Sequence, residues 1–175
     1  MKSLKNYIQE KLIIKKSNRY KYFPQSKLEL KAIIEKRIKD EGNEVDLNDI
    51  DVSNIKDMSY LFSHKDFNGD ISNWEVSNVK DMFGMFLECK LFNKNISTWD
   101  VSNITDMSNM FNGCKNFNQD ISSWDVSHVT NMANMFYGAK SFNQDISAWD
   151  VSKVKDGRFI FNNCPIREKY KPKFK

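Results

Sequence analysis

The sequence predicts an α/β repeat solenoid: a coil with one short strand and one short helix per ~25-residue repeat, capped by an N-terminal helical segment. Three observations predict it. Tryptophans fall at 74, 99, 124 and 149, at a fixed interval. The block Phe117-Asn118-Gln119-Asp120-Ile121-Ser122-Ser123-Trp124-Asp125-Val126-Ser127 recurs upstream and downstream with small changes. Within one unit, Val101, Ile104, Met107, Met110, Phe111, Cys114, Phe117, Ile121 and Trp124 are spaced about every third residue. No single helix or strand has that period, whereas a coil lined on every side does.

The elements follow in chain order. Residues 1–44 form a basic helical segment. Leu4, Ile8 and Leu12 share one helical face, which predicts a helix from about 3 to 14. The stretch from Lys15 to Lys21 reads as a linker or short strand ending at Pro24. A second helix is predicted over 27–40. Ser26 precedes Glu29 by three, a capping box, and Leu30, Ile33, Ile34 and Ile38 form an apolar stripe that stops at Gly42. The repeats occupy 45–162 as about four and a half units. The first begins at Asp46, with Ile50 in the tryptophan position, and its interval is one residue short. In the Trp124-Asp125-Val126 segment a strand would bury Trp124 and Val126 and expose Asp125. Met107, Met110 and Phe111 would share one face of a short helix that Thr105 or Asp106 starts and Gly113 ends. Gly138 would end the next one. Residues 163–175 form a basic C-terminal cap and tail.

Stacking would place Trp74, Trp99, Trp124 and Trp149 in one core column and Phe86, Phe111 and Phe136 in another. The asparagines at 68, 93, 118 and 143 would bond backbone groups from coil to coil. Cys89, Cys114 and Cys164 share a column with Ala139, which marks small buried core positions. Three cysteines without a CxxC do not make a disulfide framework.

The full unit FNQDISSWDVSHVTNMANMFYGAKS, with its Ile121-x-x-Trp124-x-Val126 core, closely resembles the repeats of BspA-type leucine-rich-repeat surface proteins. The same repeat is known from mycoplasma lipoproteins of unassigned function, and it looks familiar from bacteriophage and mobile-element proteins. The resemblance covers about 46–162. It implies a curved, right-handed, leucine-rich-repeat-like coil and a role in adhesion or protein binding. No secretory signal block or lipobox stands at the start of the sequence, and no apolar run approaches the ~20 residues of a membrane span. The expected location is cytoplasmic or virion-associated, with the cell surface implied by the resemblance alone.

Charge is segregated beneath a net +4. Residues 1–41 carry 12 Lys/Arg against 5 acids, residues 42–162 carry 10 against 17, and residues 163–175 carry 5 against 1. On the repeats the acids form a column, Asp51, Glu75, Asp100, Asp125 and Asp150, beside Ser53, Ser77, Ser102, Ser127 and Ser152. That column is the candidate protein-binding face, suited to a basic partner. The competing reading is that Asp and Ser bond the local backbone and water screens the charge. His64 and His128 lie far apart, and no phosphate loop, nucleophile elbow or metal motif occurs, so no catalytic, cofactor or metal residue is assigned. The expected function is a non-enzymatic protein-binding or structural module, of the surface-adhesion type or as a phage or mobile-element component. The alternative is nucleic-acid association through the basic N-terminal helices and C-terminal tail.

Overall fold

The computed structural model describes residues 19–174. The helix expected at 3–14 lies outside them. The second expected helix is α1, Lys27–Glu41. Ser26 is its N-cap, and the Ser26 hydroxyl accepts the Glu29 N–H at 3.2 Å. Glu29 reaches back one residue further than the box predicts, to the Gln25 N–H at 2.7 Å. Gly42, at φ 92°, ends the helix by donating to the Ile38 carbonyl at 2.9 Å. A side chain would be strained at that φ.

The repeats correct the predicted fold class. Among the described residues there is one α-helix, one 3-10 turn (η1, Glu168–Tyr170) and no strand. Strand-type pairing is confined to isolated parallel bridges. The protein is therefore not a solenoid with a strand and a helix per repeat. The Trp124-Asp125-Val126 segment has the predicted alternation, with Trp124 and Val126 buried and Asp125 exposed. It has no bridge partner. The bridges run instead through the block predicted to be helical, linking Asp57, Asp81, Asp106, Asn131 and Asp156 in series.

What each unit forms is a chain of β-turns. Ile104 donates to the Val101 carbonyl at 3.0 Å, Met110 to Met107 at 3.2 Å and Cys114 to Phe111 at 3.1 Å. Phe117 donates to Cys114 at 3.3 Å and Trp124 to Ile121 at 3.2 Å. Each turn buries its first and fourth residues, and most of the residues between lie nearer to solvent, Ser108 and Gly113 being buried exceptions. The every-third-residue apolar pattern is the period of these turns. A helical turn has the same i, i+3 spacing, so the pattern alone does not separate the two.

Backbone conformation decides between them. Asn109 and Asn134 sit at φ 57° and 56°, and Gly113 and Gly138 at φ 73° and 67°. A helix needs every residue in the right-handed region, so a left-handed residue every fourth position forbids it. Gly113 and Gly138 are thus turn residues rather than helix stops. Positive φ at the third residue of a turn is the type II pattern, which favours Gly and Asn. Asp106 does accept the Ser108 N–H at 2.8 Å as a helix cap would, but it closes a local Asx turn.

The units stack as tiers. Met107, Asn109, Phe111 and Gly113 donate to the carbonyls of Asn131, Ala133, Met135 and Tyr137 in the next tier, at 2.8–3.0 Å. The same ladder joins each successive pair. Its register is 24 residues between Asp57 and Asp81 and 25 thereafter, as the short first interval requires. Side chains reinforce it. Asn118 Oδ1 accepts the Asn143 N–H at 2.9 Å, and Asn93 Oδ1 accepts the Asn118 N–H at 3.0 Å, so the asparagine column does bond backbone between tiers. Each tryptophan Nε1 donates to a carbonyl of the preceding tier, Trp124 to Ile96 at 3.1 Å and Trp149 to Ile121 at 3.2 Å.

The core is the set of stacked aromatic columns. Phe62, Phe86, Phe111 and Phe136 stack at 5.5–5.7 Å between ring centroids. Within a tier, Phe111 stacks on Phe117 at 4.0 Å. Trp74, Trp99, Trp124 and Trp149 are buried at 3–5 % exposure. The cysteines are free; Cys89 and Cys114 are buried and donate to the carbonyls of Phe67 and Phe86.

Non-repeat chain packs against the stack at both ends. Leu30 and Ile34 of α1 are fully buried in the core cluster beside Val45 and Leu47. Arg37 pins the helix to the first tier through Asp49 at 2.8 Å. Tyr22 forms a parallel bridge with Ile50, so its segment continues the stack by one contact. At the other end Ile166 is buried, and the Tyr170 carbonyl accepts the Ile146 N–H at 3.0 Å. No helix of the described residues is long and apolar enough to cross a membrane.

Candidate protein-binding face

The Asp-x-Ser sequence decides how the acidic column is built. An aspartate side chain can accept the N–H two residues ahead and close an Asx turn. Asp100 accepts the Ser102 N–H at 3.1 Å and its hydroxyl at 2.6 Å. Asp125 accepts the Ser127 N–H at 3.0 Å, and Asp150 the Ser152 N–H at 3.0 Å. Glu75 is one methylene longer and closes no such turn. The serines predicted as binding partners, Ser102 and Ser127 among them, thus orient the carboxylates.

The column is not uniform. Glu75, Asp100, Asp125 and Asp150 are exposed, one per tier. Asp51 is buried at 7 % exposure and accepts the Ser53 N–H at 3.1 Å. It belongs to the packing under the N-terminal segment, so the outward face begins at Glu75. Ser77 is half-buried, and its carbonyl accepts from Asn103 Nδ2 at 2.9 Å.

A second acidic column lies one turn earlier, and the sequence reading missed it. Asp120 accepts the Ser122 N–H at 2.9 Å, and Asp145 accepts the Ser147 N–H at 3.0 Å. Both carboxylates are exposed, while Asp70 in the same column is half-buried. The signal was legible: the units that begin at Asn95 and Asp120 repeat an Asp/Asn-x-Ser/Ala step three times, as Asp120-Ile121-Ser122, Asp125-Val126-Ser127 and Asn131-Met132-Ala133 show. The third column, at Asp57, Asp81, Asp106, Asn131 and Asp156, carries the bridge ladder.

Three of the exposed aspartates are stabilised in their charged form. The Ser127 hydroxyl and N–H hold Asp125 below the usual carboxylate range; His128 assists and Asp150 opposes. Ser122 and Ser147 lower Asp120 and Asp145 in the same way. The like-charge repulsion expected between stacked acids is outweighed by the turn hydrogen bonds. A cleft of about 250 Å³ opens on this face, lined by Arg19, Trp74, Glu75 and Asp100 among others. A guanidinium from the basic segment thus already lies at its edge.

Among the described residues no group of three His, Cys, Asp or Glu side chains is placed to hold a metal ion. The tryptophans and phenylalanines singled out by the repeat are interior.

The family described as "Mycoplasma protein of unknown function, DUF285" matches the chain over residues 30–121 and again over residues 89–169. No curated protein and no solved structure matches it.

Proposed function

The chain belongs to the family of Mycoplasma proteins of unknown function, DUF285, and from that premise we propose that it is a non-enzymatic protein-binding module whose two acidic columns dock a basic protein surface. The observation that carries the reading is the exposed row of Glu75, Asp100, Asp125 and Asp150 with Asp120 and Asp145 beside it. The Asx turns fix the five aspartates, though not Glu75, before any partner arrives, so little side-chain entropy is lost on binding. Fixed like charges on one face steer an oppositely charged partner and set its register. A closer kinship with BspA-type surface proteins, and with it a role in adhesion or in a phage or mobile-element structure, is part of the same proposal. It rests on the unit FNQDISSWDVSHVTNMANMFYGAKS.

The nucleic-acid alternative draws less support. Lys21, Lys27 and Arg37 at the N-terminal end are engaged with Asp49 and Asp57 of the first tier. Cations tied in this way serve the cap. The test is affinity capture from host cells with the wild-type chain and with an Asp100→Lys, Asp125→Lys variant, alongside DNA and RNA binding at two salt concentrations. The proposal expects basic proteins captured by the wild type and lost from the variant. Identical captured sets, or salt-sensitive nucleic-acid binding indifferent to the double reversal, would contradict it.

A further inference from the structure

The two ends of the stack are finished differently. At the first tier α1 lies across the edge, and Lys27 Nζ reaches Asp57 at 3.0 Å and Ser59 at 2.5 Å. At the last tier the edge is open. In each earlier pair, four N–H groups spaced two residues apart donate to the next tier, as Met132, Asn134, Phe136 and Gly138 do to Asp156, Arg158, Ile160 and Asn162. Their counterparts in the last tier are the N–H groups of Gly157, Phe159, Phe161 and Asn163. None of these has an acceptor among the described residues, and neither has the N–H of Ile160, a residue only 6 % exposed. Backbone donors in such surroundings call for acceptors.

At Ile160 and Phe161 the edge borders a groove of about 650 Å³ beside the tail, lined also by Glu168, Lys169, Lys171, Lys173 and Phe174. Its charge is opposite to that of the face described above. Residues 153–173 carry 7 Lys/Arg against 2 acids, whereas residues 42–152 carry 7 against 16. Lys171 pairs with Glu168 and Lys169 acts on Asp145 through space, while Lys173 has no acidic partner among the described residues.

We propose that this edge is a second docking site, which takes an extended acidic peptide segment of a partner protein by strand addition. A row of open N–H groups recognises backbone carbonyls, as an exposed sheet edge does. In an extended segment side chains alternate, so acidic ones face the lysines while their neighbours rest on Phe161 and Phe174. A second copy does not fit. The complementary edge of the first tier is covered by α1, and two C-terminal ends would bring like charge together. The site borders the end of the Asp120 and Asp145 column, since Ser147 lines the groove, but Asp100 and Asp125 are not among its lining residues.

The experiment uses the full chain and a fluorescein-labelled short peptide alternating Glu and Val, with a Lys and Val peptide as control. The acidic peptide is expected to bind, and to slow amide exchange at Phe159, Phe161 and Asn163 by about tenfold or more. Lys169→Glu with Lys173→Glu, both at exposed positions, should weaken binding about tenfold, with thermal unfolding unchanged. Asp100→Lys with Asp125→Lys should leave it intact, which separates this site from the acidic face. Equal binding of the control peptide, unaltered exchange at those amides under saturation, or no binding at millimolar peptide would overturn the proposal.

Discussion

At the residue scale, the repeat unit assigns a separate task to nearly every side chain. Asn134 occupies a left-handed position at φ 56°, where asparagine is less strained than alanine. Asn134→Ala is expected to lower stability by about 1 kcal/mol in urea unfolding. Phe159 holds the equivalent position in the last tier at φ 57° with its ring largely exposed, so Phe159→Asn should raise stability by a similar amount. The tryptophans combine packing with a hydrogen bond. Trp124→Phe keeps much of the buried surface but strips the Ile96 carbonyl of its donor, for a loss of about 1–3 kcal/mol. Trp124→Ala should lose roughly 3–5 kcal/mol, and the difference between the two variants separates packing from the bond. Burial pushes the Cys89 thiol up to about 12 and the Cys114 thiol well above its ordinary value. Both should resist a thiol reagent at pH 8 in the folded chain and react once it unfolds.

At the element scale, α1 covers the first tier with Leu30 and Ile34. Arg37 is inserted between Glu41, Asp49 and the Asp46 carbonyl, with its guanidinium 5.4 Å from the Tyr22 ring centroid. Arg37→Ala should destabilise the chain by about 2–3 kcal/mol, more than Ser26→Ala at about 1 kcal/mol. Hydrogen exchange in α1 should rise before that of the central tiers. This helix was legible because its cap, stripe and glycine stop all agreed. The tier architecture was legible only in part. Period, columns, register and buried residues could be read from the spacing of Trp74, Trp99, Trp124 and Trp149. The local conformation could not, because an i, i+3 apolar pair such as Met107 and Met110 fits a helical turn and a β-turn equally. The deciding residues are Asn109 and Gly113, and in the sequence a glycine at 113 suits a helix stop as well as a turn. The acidic face was half legible: the Asp125 column was found and the Asp120 column was missed, since both follow from the Asp-x-Ser turn rather than from a strand.

At the scale of the whole molecule, stability is tied to ionised carboxylates. Asp120, Asp125 and Asp145 are held below the ordinary value of 3.8 by their serines, and Asp156 is lowered to about 2 by Arg158. A folded pKa below the unfolded one contributes stability that is full above the unfolded value and is lost as pH falls through the folded one. The thermal midpoint should therefore be flat near neutrality and fall between about pH 4 and about pH 2. Asp156→Asn should shrink the lowest part of that fall. The same carboxylate turns hold the acidic face open to solvent, so both the stability profile and the proposed docking depend on the tiers being stacks of turns. That claim is tested most directly by scalar coupling across hydrogen bonds in NMR spectra of the labelled chain. The account predicts coupling from the Met107 amide nitrogen to the Asn131 carbonyl carbon and from Met82 to Asp106, one tier away. Coupling from Phe111 back to Met107, the helical i to i−4 bond, would contradict it.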